Sequence, residues 1–332
     1  MNEAIFFLNN AVVPGLVIGS IYALGAVGIT LIYGILRFAH FAHGDLMTMG
    51  GFVSYLLAIG LAGIGVSTTF PVAYLILPVA IAITAVAALA IDRMFYAPLR
   101  ARGVKPVTLL VASIGVTMMI QGLIRLFFGT GTYNFFEATP KVIHQIRLPI
   151  EGVTRPISFT QPQVVMVLVT VAVVIALHFF LTRSRFGKAM RAVSDNADLA
   201  QVSGINLRMV VRITWIIAGG LACLAGTMLA LDVTLKPDLA FNIILPIFAA
   251  AIVGGVGQVY GAIAGGYLIG FAESLSVFNW AVLLRPFRDQ LPDWLPTNLA
   301  IVPTEYKLTV AFVILVITLL VRPTGIFRGA SL

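Results

Sequence analysis

Charge is what this sequence has least of. Asp and Glu number 13 and Lys and Arg 21 in 332 residues, 10% in all, where a soluble domain carries about 25%. Hydrophobic residues make up 60% and the mean hydropathy is +1.03. A single cysteine, Cys223, excludes an internal disulfide and a cysteine metal site, and its apolar surroundings in sequence point to packing. No Gly-x-x-x-x-Gly-Lys-Ser/Thr occurs, so the chain has no phosphate loop with which to hydrolyse ATP. No residue set has the pattern of a hydrolytic triad, and His144 and His178 are too isolated to suggest a metal. The net charge of +8 comes from basic residues scattered in short loops, not from one basic face, and that excludes nucleic acid as a partner.

The few charges leave long gaps. None occurs in 4–36, 46–91, 106–124, 156–182, 213–231 or 239–272. A membrane-spanning helix needs roughly 20 apolar residues, so the chain reads as an all-α polytopic membrane protein. Spans are expected at about 11–35, 46–64, 71–92, 106–128, 162–182, 209–231, 243–257, 259–280 and 306–322, eight or nine in all. A β-barrel would instead show short alternating segments. Residues 36–51 are expected to form a broken or re-entrant segment, which is tolerated at membrane depth when buried in protein or facing a wet cavity. No polar stretch is long enough for a separate soluble core, so 1–332 is expected to be one transmembrane domain. Residues 1–10 lack a basic n-region and read as retained rather than as a signal peptide.

Orientation follows from the short loops. Arg93, Arg100, Arg102 and Lys105 face only Asp92. Arg183, Arg185, Lys188, Arg191, Arg208 and Arg212 face Asp195 and Asp198, and Arg322 and Arg328 mark the C-terminus. By contrast Lys141, Arg147 and Arg155 are offset by Glu137 and Glu151, and Arg285 and Arg288 by Asp289, Asp293 and Glu305. The first group is expected inside, which gives an external N-terminus and an internal C-terminus.

Within the inner loop 183–208, Asp195 or Asn196 is a suitable N-cap for a short helix, and Gly204 a suitable stop. On composition alone the loop reads as an ordinary basic anchor obeying the positive-inside rule. Gly257, Gly261 and Gly265 recur every four residues, with Gly266 and Gly270 on an adjacent face. Such spacing suits close helix packing or a hinge. Polar groups inside apolar runs are functional candidates because burying them is costly. His43, Asp45 and Glu273 are therefore candidates for a pathway or for helix packing. Asp45 is expected beside Arg37 near the inner boundary, as an ion pair or a helix cap. Glu273 is expected to hydrogen-bond a neighbouring span or to meet substrate. Gln121, Arg125 and Asp232 are expected to snorkel at span ends.

Several strings in order carry a resemblance. Asp198-Leu199-Ala200-x-x-x-Gly204 resembles the Glu-Ala-Ala-x-x-x-Gly coupling loop of ABC importer permeases, although the downstream Ile-x-Leu-Pro is missing. The stretch from Arg191 to Asn206 is more specifically similar to the branched-chain amino acid permease family of the LivH type. So are Gly19-Ser20-Ile21-Tyr22-Ala23-Leu24, Phe41-Ala42-His43-Gly44-Asp45 (with His40 where asparagine is common), Val253-Gly254-Gly255-Val256-Gly257 and the tail from Arg322 to Phe327. The resemblance implies a permease subunit in a bacterial inner membrane, with a second related permease, two ABC ATPase subunits and a periplasmic substrate-binding protein. It implies no enzyme activity and no cofactor bound by this chain, ATP being used by the partners. Lipid surrounds it. Loop 183–208 becomes the cytoplasmic coupling loop, with Arg191, Asp195, Asp198, Leu199, Ala200 and Gly204 as coupling residues and Leu199 and Ala200 in contact. The cargo is expected to be branched-chain or other small hydrophobic amino acids; urea and short amides are carried by related permeases. An ion-coupled secondary transporter using Asp45 or Glu273 is the rival class.

Overall fold

The computed structural model describes residues 1–63, 72–136, 140–150, 152–286, 292 and 296–327. Glu137, Glu151, Arg288, Asp289, Asp293 and Arg328, used above for orientation, lie outside the described residues, as do the expected span ends at 64 and 71.

Fourteen α-helices are described: α1 (Asn2–Phe7), α2 (Val13–Leu36), α3 (His43–Gly63), α4 (Val72–Ile91), α5 (Ala97–Ala101), α6 (Pro106–Phe128), α7 (Gln161–Arg183), α8 (Arg185–Asp195), α9 (Ala197–Val202), α10 (Leu207–Asp232), α11 (Ile244–Gly254), α12 (Val259–Val277), α13 (Ala281–Leu284) and α14 (Lys307–Val321). Wider π-helical turns at Leu8–Val12 and Asp92–Tyr96 join α1 to α2 and α4 to α5 without a break. Among the described residues seven helices are long and apolar enough to cross a membrane: Asn2–Leu36, His43–Gly63, Val72–Ala101, Pro106–Phe128, Gln161–Arg183, Leu207–Asp232 and Thr304–Val321. The chain is an all-α polytopic membrane protein. Its described strands are β1 (Ile143–Ile146) and β2 (Ile157–Thr160), one antiparallel hairpin with Ile143 opposite Thr160.

Which helices lie at the centre follows from side-chain size. In lipid, oil-like side chains gain little by leaving the bilayer, and association favours surfaces where backbones approach closely. The glycine-rich α2 and α10 are central: 89% and 83% of their apolar stretches are buried. α7 and α14, built from Val, Ile, Leu and Phe without a glycine, are peripheral at 22% and 6%. α2 packs on α12 reciprocally. A β-carbon at Gly19 would lie 2.6 Å from the Tyr267 ring, and one at Gly266 2.5 Å from the Ala23 nitrogen. Across α10, a β-carbon at Gly219 would meet Ala88 Cβ at 2.8 Å, and Gly50 of α3 sits against Cys223 Cα. The Cys223 thiol is free and buried in that seam.

The two ends of the bundle differ. At one end the hairpin is tied to the N-terminus: Asn2 Nδ2 donates to the Gly152 carbonyl (3.1 Å), and Asn9 Nδ2 to that of Pro156 (2.9 Å). At the other end lie α8, α9 and the end of α2, which Arg37 stops in the left-handed conformation (φ 55°), its amide donating to the Tyr33 carbonyl.

Two segments depart from simple spans. α3 begins well inside the bundle, because the His43 ring lies against Gly28, eight residues and therefore about 12 Å up α2 from Leu36. Residues 37–42 thus fold back into the bundle before α3 starts, and the helix already covers 43–51, the second half of the stretch expected to be broken. The second departure is the expected span 243–257, which is α11, only 11 residues and about 16 Å long. The irregular stretch 233–243 precedes it.

Candidate coupling site and buried polar groups

At the end of the bundle away from the N-terminus, the chain turns sharply out of α7. Ser184 caps α8 by accepting from the Gly187 amide (2.8 Å). Gly187 is required there, since a β-carbon would lie 2.5 Å from Leu181 Cα. α8 is amphipathic: Gly187, Met190 and Val193 are buried at helical spacing, while Arg185, Phe186, Lys188 and Arg191 are exposed. Asn196, not Asp195, caps α9, accepting from the Leu199 amide (2.9 Å); Asp195 is the last residue of α8. α9 ends where Gly204 takes φ +88°, and the Ile205 amide closes back on the Ala200 carbonyl at 3.0 Å. Asn206 then caps α10 on the Met209 amide (3.2 Å). The loop is therefore two capped helices, where one was expected, held between two spans.

The side chains sort into anchors and presented groups. Ala200, expected as a contact residue beside Leu199, is 5% exposed and packs into this chain's own core. Leu199 is 68% and Val202 88% exposed, and Asp195, Asp198 and Gly204 are also at the surface. Val202, missed by sequence reading, follows from helical spacing once Ala200 is known to face inward. Arg37 donates to the Ser194 carbonyl, tying the end of α2 to α8. Beside this tie a cavity of about 180 Å³ lies between α2, α7, α8 and the α11–α12 turn, with Gly34, Arg191, Ser194 and Gly257 in its wall.

Asp45 is not paired with Arg37. It is 1% exposed inside the bundle, where its Oδ1 accepts from Gln121 Nε2 at 2.9 Å. Gln121 is thus a buried partner and does not snorkel. Its signal in the sequence was simply an amide in the middle of an apolar run. Asp232 Oδ1 accepts from Gln163 Nε2 (3.4 Å). His43 is fully buried between α2 and α3, with neither ring nitrogen hydrogen-bonded among the described residues. His40 meets the Tyr96 hydroxyl through Nδ1 (3.2 Å) and stands edge-on to the Trp215 ring, which stacks on Tyr96. That cluster locks the 37–42 turn to α10 and to the π-turn after α4. In the same region Arg100 pairs with Asp92 at 2.7 Å.

Glu273 is fully buried on α12. The Tyr22 hydroxyl donates to its Oε2 at 3.0 Å, and Lys307 Nζ lies 3.8 Å from the same oxygen. It therefore joins α12 to α2 and α14; neither partner was recognisable from sequence. The glycine series splits. β-carbons at Gly261 and Gly265 would collide with the Gly254 and Ala250 carbonyl oxygens of α11. Gly257 is outside that ladder, in the α11–α12 turn at φ +86° with open space around it. No group of three or more His, Cys, Asp or Glu able to hold a metal occurs among the described residues.

The stretch 233–243 runs beside α3. Leu235 pairs with Tyr133 in an isolated bridge (2.8 Å each way) and packs on Gly51, and the Ala240 amide donates to Thr48 Oγ1 (3.1 Å). Its other side is open: Val233, Phe241 and Asn242 are exposed, as is Leu245 in the first turn of α11.

The sequence is similar to those of known proteins. The family described as branched-chain amino acid transport system, permease component, matches residues 11–319. The high-affinity branched-chain amino acid transport system permease protein LivH of Salmonella typhimurium is 30% identical over 327 residues, 98% of this chain and 97% of its own length. The corresponding protein BraD of Pseudomonas aeruginosa is 29% identical over the same shares. A probable LivH of Methanocaldococcus jannaschii is 29% identical over 94% of this chain and 90% of its own. A solved structure, PsaBC from Streptococcus pneumoniae in complex with Fab, covers 96% of this chain and 92% of its own at 15% identity and TM-score 0.46, too loose a likeness to carry an argument. On the match from 11 to 319 and the near-complete overlap with LivH, this chain belongs to the permease-component family of branched-chain amino acid transport systems.

Proposed function

We propose that the chain is the membrane-spanning permease subunit of an ABC importer in a bacterial inner membrane, forming the path for branched-chain or other small hydrophobic amino acids. It works with a second related permease, two ATPase subunits and a periplasmic binding protein; ATP belongs to the partners. In this reading the N-terminus and hairpin are outside, while residues 183–208 and the C-terminus are cytoplasmic. Arg185, Lys188, Arg191 and Arg208, all exposed at one end, fit the positive-inside rule.

The observation that carries the reading is the capped α8–α9 unit. It presents Leu199 and Val202 to the surface while Met190, Val193 and Ala200 root it in the bundle. A short helix with apolar side chains outward and both ends capped fits a groove in a soluble partner. Leu199 makes the contact, Asp198 and Arg191 flank it, Asp195 ends α8 beside the Asn196 cap, Ala200 anchors, and Gly204 terminates the helix. Push on α9 travels through α8 and the Arg37–Ser194 hydrogen bond into α2. At the other end of the mechanism, irregular backbone at membrane depth is tolerated only if buried in protein or lining a wet cavity. The open side of 233–245 therefore faces the second permease and the path between them. Both would suit an apolar cargo that is passed on without being held.

The test is ATPase activity of the assembled complex, stimulated by its binding protein. Val202 replaced by Cys should cross-link to a single-cysteine ATPase subunit. Efficient cross-linking with nucleotide-dependent yield supports the docking role. A complex that assembles fully while Val202→Cys stays freely accessible to a bulky thiol reagent contradicts it.

A further inference from the structure

At the end of the bundle that carries the N-terminus, a cavity of about 440 Å³ lies between the first helix, the last turns of α12 and the start of α14. That size is within the range of small-molecule pockets. Its walls combine two chemistries. Phe6, Val277 and Phe278 contribute apolar surface, and Glu273, Lys307 and Arg285 contribute one negative and two positive side chains.

The carboxylate is incompletely used. Its Oε2 takes both Tyr22 and Lys307, while Oε1, equally buried, has no hydrogen-bond partner among the described residues. A buried acceptor without a donor is costly, so a donor belongs at Oε1. The cations are also underused. The ammonium of Lys307 has three N–H groups and one long ion pair, and exposed Arg285 has no acidic partner among the described residues. A lone cation would be repelled by two positive charges, and a lone anion by the free carboxylate oxygen.

We propose that this cavity binds a ligand carrying a primary ammonium and an acidic group a few bonds apart. The ammonium donates to Glu273 Oε1, and the acidic group sits between Lys307 and Arg285. An apolar substituent lies against Phe6, Val277 and Phe278. A free α-amino acid and the headgroup of phosphatidylethanolamine share this chemistry.

The experiment uses the full chain in nanodiscs of phosphatidylcholine, whose quaternary ammonium has no N–H to give. Leucine, 4-methylpentanoate and 3-methylbutylamine are titrated by calorimetry, and lipid co-purified from native membranes is identified by mass spectrometry. Arg285→Ala changes only an exposed rim residue and guards against misfolding in Glu273→Gln. Leucine binding at least tenfold tighter than either analogue, and weakened at least tenfold by Arg285→Ala, supports the site with an amino acid in it. No leucine binding, but phosphatidylethanolamine retained by the wild type and depleted in Arg285→Ala, supports the site with a lipid in it. Binding of neither, or binding unchanged by both substitutions, overturns it. Leucine as a probe rests on the importer reading. ATP-driven leucine uptake, measured with the same protein and its partners, keeps the two apart: uptake without binding at this cavity ends only the present proposal.

Discussion

Replacing a helix glycine by alanine should change stability in opposite directions at two places in this bundle. Alanine favours a helix over glycine by about 0.8–1 kcal/mol when nothing obstructs the methyl group. Gly122, on the outward face of α6, has open space within 4 Å, and so does Gly115. Alanine at either should leave the isolated subunit as stable or stabilise it by up to ~1 kcal/mol. At Gly266 the same methyl would lie 2.5 Å from the Ala23 nitrogen, 2.6 Å from its Cα and 2.9 Å from its Cβ. None of these is the end of a flexible chain, so α12 must move off α2. Overpacking costs about 1–3 kcal/mol, and backbone overlap belongs at the top of that range. Less the helix gain, Gly266→Ala should lose about 2 kcal/mol. Thermal unfolding of the purified subunit in detergent, followed by tryptophan fluorescence, measures both. A Gly266→Ala protein as stable as Gly122→Ala would refute the claim that direct backbone approach organises α2 and α12.

Four further outcomes are expected. Gly204→Ala meets no atom within 4 Å but must hold a left-handed conformation, at about 1–2 kcal/mol; α9 should fray and binding-protein stimulation of ATPase activity should fall, with Gly204→Asn milder, as stimulation ratios would show. Leu199→Asp with Val202→Asp should alter the melting of the isolated subunit by no more than about 0.5 kcal/mol yet abolish co-purification with the ATPase. Ala200→Leu, forced into a filled site, should instead melt earlier by about 1–3 kcal/mol. Gln121→Leu removes the donor to buried Asp45 and should cost about 1–3 kcal/mol, read from the same melting curves.

The membrane class, most spans, the cap-and-stop pattern of the inner loop and the glycine contacts of α12 were all legible in the sequence, because each rests on local rules of length, capping and residue size. Three-dimensional partners were not. Nothing near Asp45 in the chain points to Gln121, which is 76 residues away, and the nearer Arg37 was the wrong choice because its left-handed turn sends it to Ser194. Ala200 and Leu199 are neighbours in sequence, and only the packing of α9 on the bundle decides which one faces out. The expected span 243–257 stops short at its far end, where Gly255 and Gly257 take φ +111° and +86° and end the helix at Gly254. The apolar residues before it are also held out of helix, the Ala240 amide donating to Thr48. Helices that are apolar all round give no facial contrast, so centre and edge were distinguishable only through glycine content.

The most direct measurement is uptake of labelled leucine into proteoliposomes containing this chain, its candidate second permease and ATPase, with ATP on the side of residues 183–208 and binding protein on the other. The importer account predicts accumulation that requires both ATP and the binding protein and is lost in the Leu199→Asp, Val202→Asp protein. Uptake by this subunit alone, driven by a proton or sodium gradient and indifferent to ATP, would contradict it.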